Sequence, residues 1–236
     1  MAKIKRLNPR NIVFTPSVNP YAAGSVLAEF GNTKIHITAT VEESVPGWMK
    51  NQGRGWVTGE YNMLPCATHD RNRRERSKIS GRTQEIQRLI GRSLRSAVDL
   101  EKLGERSIII DCDVLVADGG TRTASISGAF VALSLAVKKL QSTGDLKVNP
   151  IKEVIAALSV GVNSDGEIIA DLNYEEDSSC ETDMNFVMTK SGEFVEVQGT
   201  AEGKPFNPDQ FKSMIECASE AMKKVFEAQE KVLGEM

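Results

Sequence analysis

Cysteine and histidine are both scarce in this sequence, and the few present are far apart. The 236 residues include four cysteines and two histidines, and no two cysteines form a CxxC pair. A structural zinc site is therefore not expected, because such sites use closely spaced Cys and His ligands. Reduced, unpaired thiols are typical of a cytoplasmic protein. The residues concerned are Cys66, Cys112, Cys180, Cys217, His36 and His69.

Long apolar runs are also missing. The longest apolar stretches, such as residues 151–162, contain charged or polar residues well before the roughly 20 residues that a membrane span needs. The basic residues at positions 1–6 are not followed by the apolar segment of a secretory signal. We therefore expect a cytoplasmic protein with no membrane partner.

An uneven distribution of charge is present instead. The content of 40% hydrophobic and 26% charged residues is ordinary for a globular protein, and the net charge is −3. Residues 1–150 carry 22 Lys/Arg and 14 Asp/Glu, a balance of +8, whereas residues 151–236 carry 7 and 18, a balance of −11. A basic half indicates an anionic partner such as nucleic acid. The alternative is that oppositely charged surfaces attract each other within the fold or an oligomer.

The apolar pattern predicts hairpins and long helices. This mixture is typical of the α+β class with mixed sheets, in one domain whose two halves, about 1–150 and 151–236, meet near Pro150. The predicted strands are 25–30, 34–41, 55–64, 107–117, 154–162, 167–174, 185–188 and 194–198. The predicted helices are 83–102, about 123–140, and a C-terminal helix opened by Asn207-Pro208.

The segment 118–123 (DGGTRT) lies between a predicted buried strand and a predicted helix. Glycines such as Gly120 allow backbone N–H groups to approach an anion, and a helix N-terminus adds a positive end. Thr121 and Arg122 extend the donor set, since a guanidinium binds phosphate through two bonds. The segment is neither a Walker A loop nor a GxGxxG motif. A tight turn with capping threonines is the structural alternative.

Arginine is concentrated between positions 71 and 95, with nine Lys/Arg against two Asp/Glu. Such density on a polar loop and the following helix suits contact with an RNA phosphate backbone, although a solubilising loop explains it too. Arg82, next to Gly81, repeats this combination of glycine and arginine at the start of the first predicted helix, so two arginines at two helix starts are candidates for one anion. On that helix Arg88, Arg92 and Arg95 share the face opposite the apolar stripe, which is typical of a solvated face.

Carboxylates are concentrated between positions 171 and 183, where six occur in 13 residues. Asp177 and Asp183 flank a Ser-Ser-Cys loop that can bring them together. Paired carboxylates bind Mg²⁺ or transfer protons. A solvated charge run is the commoner explanation of such a cluster.

Together these segments resemble the ribonuclease PH family of bacteria. The resemblance covers almost the whole chain, and the ordered set of motifs is highly specific. The matching stretches are residues 53–61, 80–92, 111–126, 176–178, 181–185 and 196–202.

The resemblance implies two βαβα-like halves of the ribosomal protein S5 domain 2-like fold, assembled as a homohexamer, a trimer of dimers. It implies removal of nucleotides beyond the CCA end of tRNA precursors and from other RNA 3′ ends. Inorganic phosphate is consumed, nucleoside diphosphates are released, and the reaction is reversible. By motif position, the resemblance assigns phosphate to Arg82, Gly120, Thr121 and Arg122. It assigns Mg²⁺ and acid/base roles to Asp177 and Asp183, and tRNA contact to Arg71 and Arg74.

Two departures from the family pattern concern RNA handling or ring contacts. Cys66 stands where the family commonly has an arginine, and the loop 73–80 is about two residues shorter. A second hypothesis is a non-catalytic RNA-binding ring subunit, but such subunits usually lack the phosphate arginine or the acidic pair, and this chain keeps both. A third, a phosphate-binding metabolic enzyme, explains the glycine-rich turn but not the arginine-dense loop.

Overall fold

Strands and helices alternate along the chain, as expected for a mixed α+β protein. A computed structural model describes residues 3–76 and 78–234. In chain order the elements of this part are β1 (Ile4–Arg6), β2 (Ile12–Pro16), β3 (Gly24–Phe30), β4 (Thr33–Glu42), β5 (Trp56–Met63), α1 (Gly81–Ser96), α2 (Leu100–Leu103), β6 (Ser107–Val116), α3 (Thr121–Thr143), β7 (Ile155–Val162), β8 (Ile168–Ala170), α4 (Tyr174–Ser179), β9 (Thr182–Thr189), β10 (Phe194–Ala201) and α5 (Pro208–Leu233).

The strands form two five-stranded mixed sheets. The first has the order β2-β3-β4-β6-β5, antiparallel except for the parallel β5–β6 pair. The second has the order β1-β8-β7-β9-β10, so the first strand of the chain completes the sheet of the second half. In β4 the alternating residues Ile35, Ile37 and Ala39 are fully buried, because successive side chains of a strand point to opposite faces. The predicted fold class is confirmed.

Helix α3 lies between the two sheets and is buried on nearly all sides. It contacts β3 and β4 of the first sheet and β7 of the second. Its buried Ser127 hydroxyl donates to Ala157 O and accepts from Ala157 N at 3.0 and 2.9 Å. Within the described residues, α3 is the one helix long and apolar enough to cross a membrane. Of its apolar 18-residue stretch, 83% is buried in the fold. Its composition is therefore that of a core helix.

Two predicted elements differ from the structure. The helix predicted over 83–102 ends at Ser96, because Val98 pairs with Ile151 and the Asp99 side chain caps a separate short helix, α2. The strand predicted over 167–174 ends at Ala170. Asn173 then forms a capping box that begins α4, which the sequence pattern did not predict. The strands β1 and β2 were not predicted either.

Part of the charge asymmetry between the two halves is explained by ion pairs within the fold. Basic residues near the N-terminus and on α1 form ion pairs with acidic residues of the second half, which supports the alternative explanation of the charge pattern. These pairs include Arg6–Glu176 at 2.7 Å, Arg10–Asp171 at 2.8 Å and Arg92–Glu196 at 3.3 Å. The acidic cluster at 171–183 is therefore only partly solvated.

Candidate active site

The glycine-rich turn between β6 and α3 has a backbone that only glycine adopts readily. Gly119 and Gly120 have φ values of +74° and +65°, and Gly120 is the N-cap of α3. A Cβ on Gly119 would lie 2.4 Å from the Leu172 carbonyl oxygen and 2.6 Å from the Asn173 carbonyl carbon. Glycine at 119 therefore lets the turn of the first half approach the second half closely.

A cavity of about 220 Å³ opens beside this turn. It brings together residues of α1, α3, α4 and β9 that are up to about a hundred positions apart in the sequence. All six residues predicted for phosphate binding and catalysis line it. They are Arg82, Gly120, Thr121, Arg122, Asp177 and Asp183. The lining therefore combines two arginines and the glycine-rich turn with two carboxylates.

The surroundings raise the pKa of both carboxyls in the cavity. Burial raises the pKa of the Asp177 carboxyl above its ordinary value, and the charges of Asp183 and Glu202 raise it further. Burial and the charge of Glu202 likewise raise the pKa of Asp183, while Arg122 opposes both shifts. Ionising both carboxyls is therefore costly unless a cation compensates them.

The donor set decides which metal the site can hold. Among the described residues, no group of three or more His, Cys, Asp or Glu is placed to hold a metal ion. Mg²⁺ needs fewer protein ligands, since it keeps waters and binds through one or two carboxylates together with substrate phosphates. Asp177 and Asp183 beside an anion site therefore fit Mg²⁺ bound jointly by protein and substrate.

Arg122 is held by two side chains that the sequence pattern did not indicate. Its Nη1 donates to Gln198 Oε1 at 2.7 Å and lies 3.4 Å from Glu85 Oε1. Gln198 Nε2 also donates to Glu85 Oε1, at 2.7 Å. These contacts join α1, α3 and β10 around one guanidinium. Gln198 lies in the family-like stretch 196–202, which was the only signal that could have indicated it.

Thr121 is also oriented by a neighbour. The Tyr61 hydroxyl donates to Thr121 Oγ1 at 2.9 Å. Burial raises the pKa of Tyr61, and the Thr121 bond and the charges of Arg82 and Arg122 oppose that rise. The Tyr61 ring is buried, so its hydroxyl is held in place to orient the threonine.

The two arginines predicted for RNA occupy different places. Arg74 lines a second cavity of about 390 Å³, which Arg73 and Arg76 also line and which shares Arg82 with the first. Arg71 is exposed and lines neither cavity. Glu75 anchors this loop to the start of α1, since its carboxylate accepts from Ser80 N at 3.1 Å and from the Thr83 hydroxyl at 3.2 Å, and these bonds lower its pKa. Ser77, inside the shortened loop, lies outside the described residues.

The arginine face of α1 is only partly solvated. Arg88 and Arg92 are exposed, as predicted. Arg95 is half-buried instead: its guanidinium carbon lies 4.3 Å from the ring centroid of Trp56, and its Nη1 donates to Val57 O at 2.9 Å. The prediction of a solvated face is therefore wrong for Arg95, because β5 packs against the end of α1.

Cys66 is exposed in a groove of about 350 Å³ beside the first cavity. The groove and the cavity share Thr68, Ala117 and Tyr174. The residue that departs from the family pattern therefore lies at the approach to the candidate site and does not line the site itself.

The site is a candidate anion site that shares its cavity with a carboxylate pair, and comparisons with known proteins assign the chain to a family. Models of the 3′ exoribonuclease family match residues 8–139 (domain 1) and 153–221 (domain 2). The chain is 56% identical over 227 residues to ribonuclease PH of Bdellovibrio bacteriovorus, covering 96% of this chain and 93% of that protein. The chain therefore belongs to the ribonuclease PH family of 3′ exoribonucleases. It is a phosphorolytic 3′→5′ exoribonuclease, and thus a nucleotidyltransferase, as predicted from the sequence.

Solved structures with low sequence identity share the fold. Rice (Oryza sativa) Rrp46 is similar with a TM-score of 0.78 at 17% identity, covering 97% of both chains. A chain of the Archaeoglobus fulgidus exosome with RNA bound to the active site has a TM-score of 0.79 at 21% identity, covering 94% of this chain and 89% of that one. At such identities the similarity establishes the fold alone.

Proposed function

We propose that this enzyme trims tRNA precursors back to the CCA end, and also acts on other RNA 3′ ends, using inorganic phosphate as the attacking group. One observation carries the proposal: a single cavity is lined both by Arg82 and Arg122, the candidate anion site, and by the Asp177/Asp183 pair. The first group suits a phosphate reactant and the second a leaving oxygen. A non-catalytic ring subunit has no use for either, and the family membership disfavours an unrelated metabolic enzyme.

Phosphate is bound by Arg82, by Arg122, and by the turn at Gly120 and Thr121. In the reaction, one phosphate oxygen forms a bond to the phosphorus of the last phosphodiester, and the bond from that phosphorus to the 3′ oxygen of the preceding nucleotide breaks. The products are a nucleoside 5′-diphosphate and an RNA shortened by one nucleotide. Positioning and charge neutralisation by the arginines supply most of the acceleration.

Asp183, assisted by Asp177, acts on the leaving 3′ oxygen. A carboxyl whose pKa is raised retains a proton at higher pH than usual, so Asp183 suits protonation of that oxygen. Asp177 and Asp183 are also the residues that would hold Mg²⁺. When bound, that ion would neutralise charge on the phosphate oxygens.

The RNA upstream of the cleaved bond follows the arginine-rich loop. Arg74 lines the cavity that adjoins the phosphate site through Arg82, so it is placed to contact a phosphate of the RNA backbone. Arg71 is exposed and lines neither cavity, which supports contact with RNA beyond them.

The enzyme is further proposed to work in the cytoplasm as a homohexamer, a trimer of dimers. Four free cysteines among the described residues support a reducing compartment. The structural similarity to a chain of an archaeal exosome core supports a ring. The edge strand β10 exposes Phe194 and Val197, which is consistent with contact to another subunit. A solution mass measurement tests the hexamer; a monomer or dimer at micromolar concentration contradicts it.

The decisive experiment supplies tRNA carrying a short 3′ extension, with and without phosphate, and identifies the released nucleotides. Nucleoside diphosphates formed only with phosphate are expected. Nucleoside monophosphates released without phosphate would show hydrolysis and refute the proposal. Arg122→Ala and Asp183→Asn should each abolish turnover without unfolding the protein, while Lys147→Ala, at an exposed lysine in the loop after α3, should not.

A further inference from the structure

The carbonyl groups of the phosphate turn are tied to two residues that do not line the cavity. Arg10 donates through Nη1 to Asp118 O and through Nη2 to Gly119 O, the latter at 3.4 Å. The buried Thr33 hydroxyl donates to the same Gly119 O at 2.7 Å and accepts from Asp118 N at 3.0 Å. The turn is therefore anchored through its oxygens by two residues outside the lining of the cavity.

Arg10 is itself held firmly. Asp171 accepts from Arg10 N and Nε at 2.9 Å each and from Nη2 at 2.8 Å. Asp171 is fully buried and has a φ of +54°, a conformation that is unfavourable for a residue with a side chain. Three hydrogen bonds to a single guanidinium and its backbone offset that cost. The second half of the chain thus fixes Arg10 beneath the turn of the first half.

The hydrogen bonds to the carbonyl oxygens also determine where the N–H groups of the turn point. All described peptide bonds are trans, and in a trans peptide the C=O and N–H groups point in opposite directions. With Asp118 O and Gly119 O turned toward Arg10 and Thr33, the N–H groups of Gly119 and Gly120 face the cavity that both glycines line. Among the described residues, neither N–H group has an acceptor. Consecutive free N–H groups of this kind form a concave anion site.

We propose that Arg10 and Thr33 are positioning residues for the phosphate reactant. Two consecutive glycines leave the peptides of the turn free to rotate, and a rotated peptide would present a carbonyl oxygen to the anion. The anchors from Arg10 and Thr33 prevent this rotation. The inference rests on the proposed binding of phosphate at Gly120, Thr121 and Arg122, and it adds two residues that do not touch the phosphate.

The test measures steady-state KM for phosphate and for RNA, kcat at saturating phosphate, and Tm. Thr33→Val removes the hydroxyl at nearly constant volume, and Thr33→Ser keeps it. We expect Thr33→Val to raise KM for phosphate about 5- to 10-fold, because both hydrogen bonds of the hydroxyl to the turn are lost, and to leave KM for RNA within about 2-fold of the wild-type value. Thr33→Ser should restore the wild-type value. Arg10→Lys keeps a cation beside Asp171 but loses the several N–H groups of the guanidinium, and should also raise KM for phosphate.

Ser107→Ala is the matched control. The Ser107 hydroxyl is also buried and also donates to a backbone oxygen, Ser44 O at 2.7 Å, on the same sheet as Thr33, but it lines no part of the site. It should lower Tm as Thr33→Val does and leave both KM values unchanged. If Thr33→Val does not fold, Arg10→Lys decides the question by the same KM values. If neither folds, the two residues are structural and the proposal is wrong.

Three results separate the hypotheses. Phosphate-independent turnover by the wild-type enzyme refutes the proposed function itself. Phosphate-dependent turnover with an unchanged phosphate KM in Thr33→Val refutes only the positioning role. A parallel rise in KM for phosphate and for RNA also refutes it, because a general distortion of the site affects both substrates.

Discussion

The hydroxyl of Tyr61 donates a hydrogen bond of 2.9 Å to the hydroxyl oxygen of Thr121. Tyr61 lies near the end of β5 and is 2% exposed, and Thr121 is the first residue of α3. The bond therefore fixes the threonine oxygen at the helix start where phosphate is proposed to bind.

Replacing Tyr61 with phenylalanine removes this bond and little else. We expect kcat/KM for phosphate to fall about 2- to 10-fold, since one neutral hydrogen bond is lost while the packing of the ring is kept. Tyr21→Phe is the control, because Tyr21 is 94% exposed and outside the site. Wild-type kinetics in Tyr61→Phe would show that the orientation of Thr121 does not matter.

Replacing Glu85 with glutamine should strengthen phosphate binding. Glu85 lies 3.4 Å from Arg122 Nη1 and competes with phosphate for its charge, whereas glutamine keeps hydrogen-bonding ability without the charge. The pair is partly exposed, so the expected decrease in KM for phosphate is about 2- to 5-fold. Glu196→Gln, which breaks the Arg92 pair on the neighbouring β10, should leave that KM unchanged. A higher KM in Glu85→Gln would mean that Glu85 mainly orients Arg122.

Asp183→Asn should abolish activity yet leave the metal-free protein at least as stable as wild type near neutral pH. The folded-state pKa of Asp183 is raised, so the native state binds more protons than the unfolded state between the two pKa values. Stability from this group is present at low pH and is lost as pH rises through the raised pKa. Above that pKa the ionised carboxylate destabilises the fold, and asparagine removes the cost.

Thermal melts from pH 4 to pH 8 in a chelator check this sign. The Tm advantage of Asp183→Asn should shrink as the pH falls, and Asp165→Asn, in the β7–β8 turn, should show no such trend. A variant less stable than wild type at pH 8 and equal at pH 4 would reverse the sign and exclude the destabilising carboxylate.

Added Mg²⁺ gives a test of the metal that does not depend on activity. If Asp177 and Asp183 share the ion with phosphate, Mg²⁺ together with phosphate should raise the Tm of wild type more than the sum of the separate effects. Asp183→Asn should lose this extra increase. An equal increase in the variant would place the ion elsewhere.

Gly119→Ala should be far more destabilising than Gly166→Ala. Both glycines have a φ of +74°, so the conformational cost of a side chain is similar, about 1 kcal/mol. Nothing lies within 4 Å of a Cβ on Gly166, whereas a Cβ on Gly119 would meet the backbone of Leu172 and Asn173. Chemical denaturation gives the free energy of unfolding of both variants, and the difference between their losses is the cost of the clash beyond the shared backbone strain. Equal losses of unfolding free energy would show that the contact between the two halves adjusts to the added methyl group at no cost.

Much of the fold was predictable from local sequence patterns. Hairpins such as β3–β4 and the strand–turn–helix at 107–143 were predictable because alternation, glycine turns and helical spacing involve residues near one another in the chain. The breaks at Ala97–Asp99 and Asp171–Asn173 were not, since both arise where distant segments dock: Val98 pairs with Ile151, and the Asp171 carboxylate binds Arg10.

The sequence by itself determined the family and the position of the DGGTRT turn between a strand and a helix, and it predicted the two aspartates, because these lie in short and specific motifs. Only the tertiary structure decided that Arg82, Arg122, Asp177 and Asp183 share one cavity. It alone revealed the supporting residues Tyr61, Glu85, Gln198, Arg10 and Thr33. Their contacts join residues as far as 161 positions apart, and no periodicity or local spacing encodes a hydrogen bond across that distance.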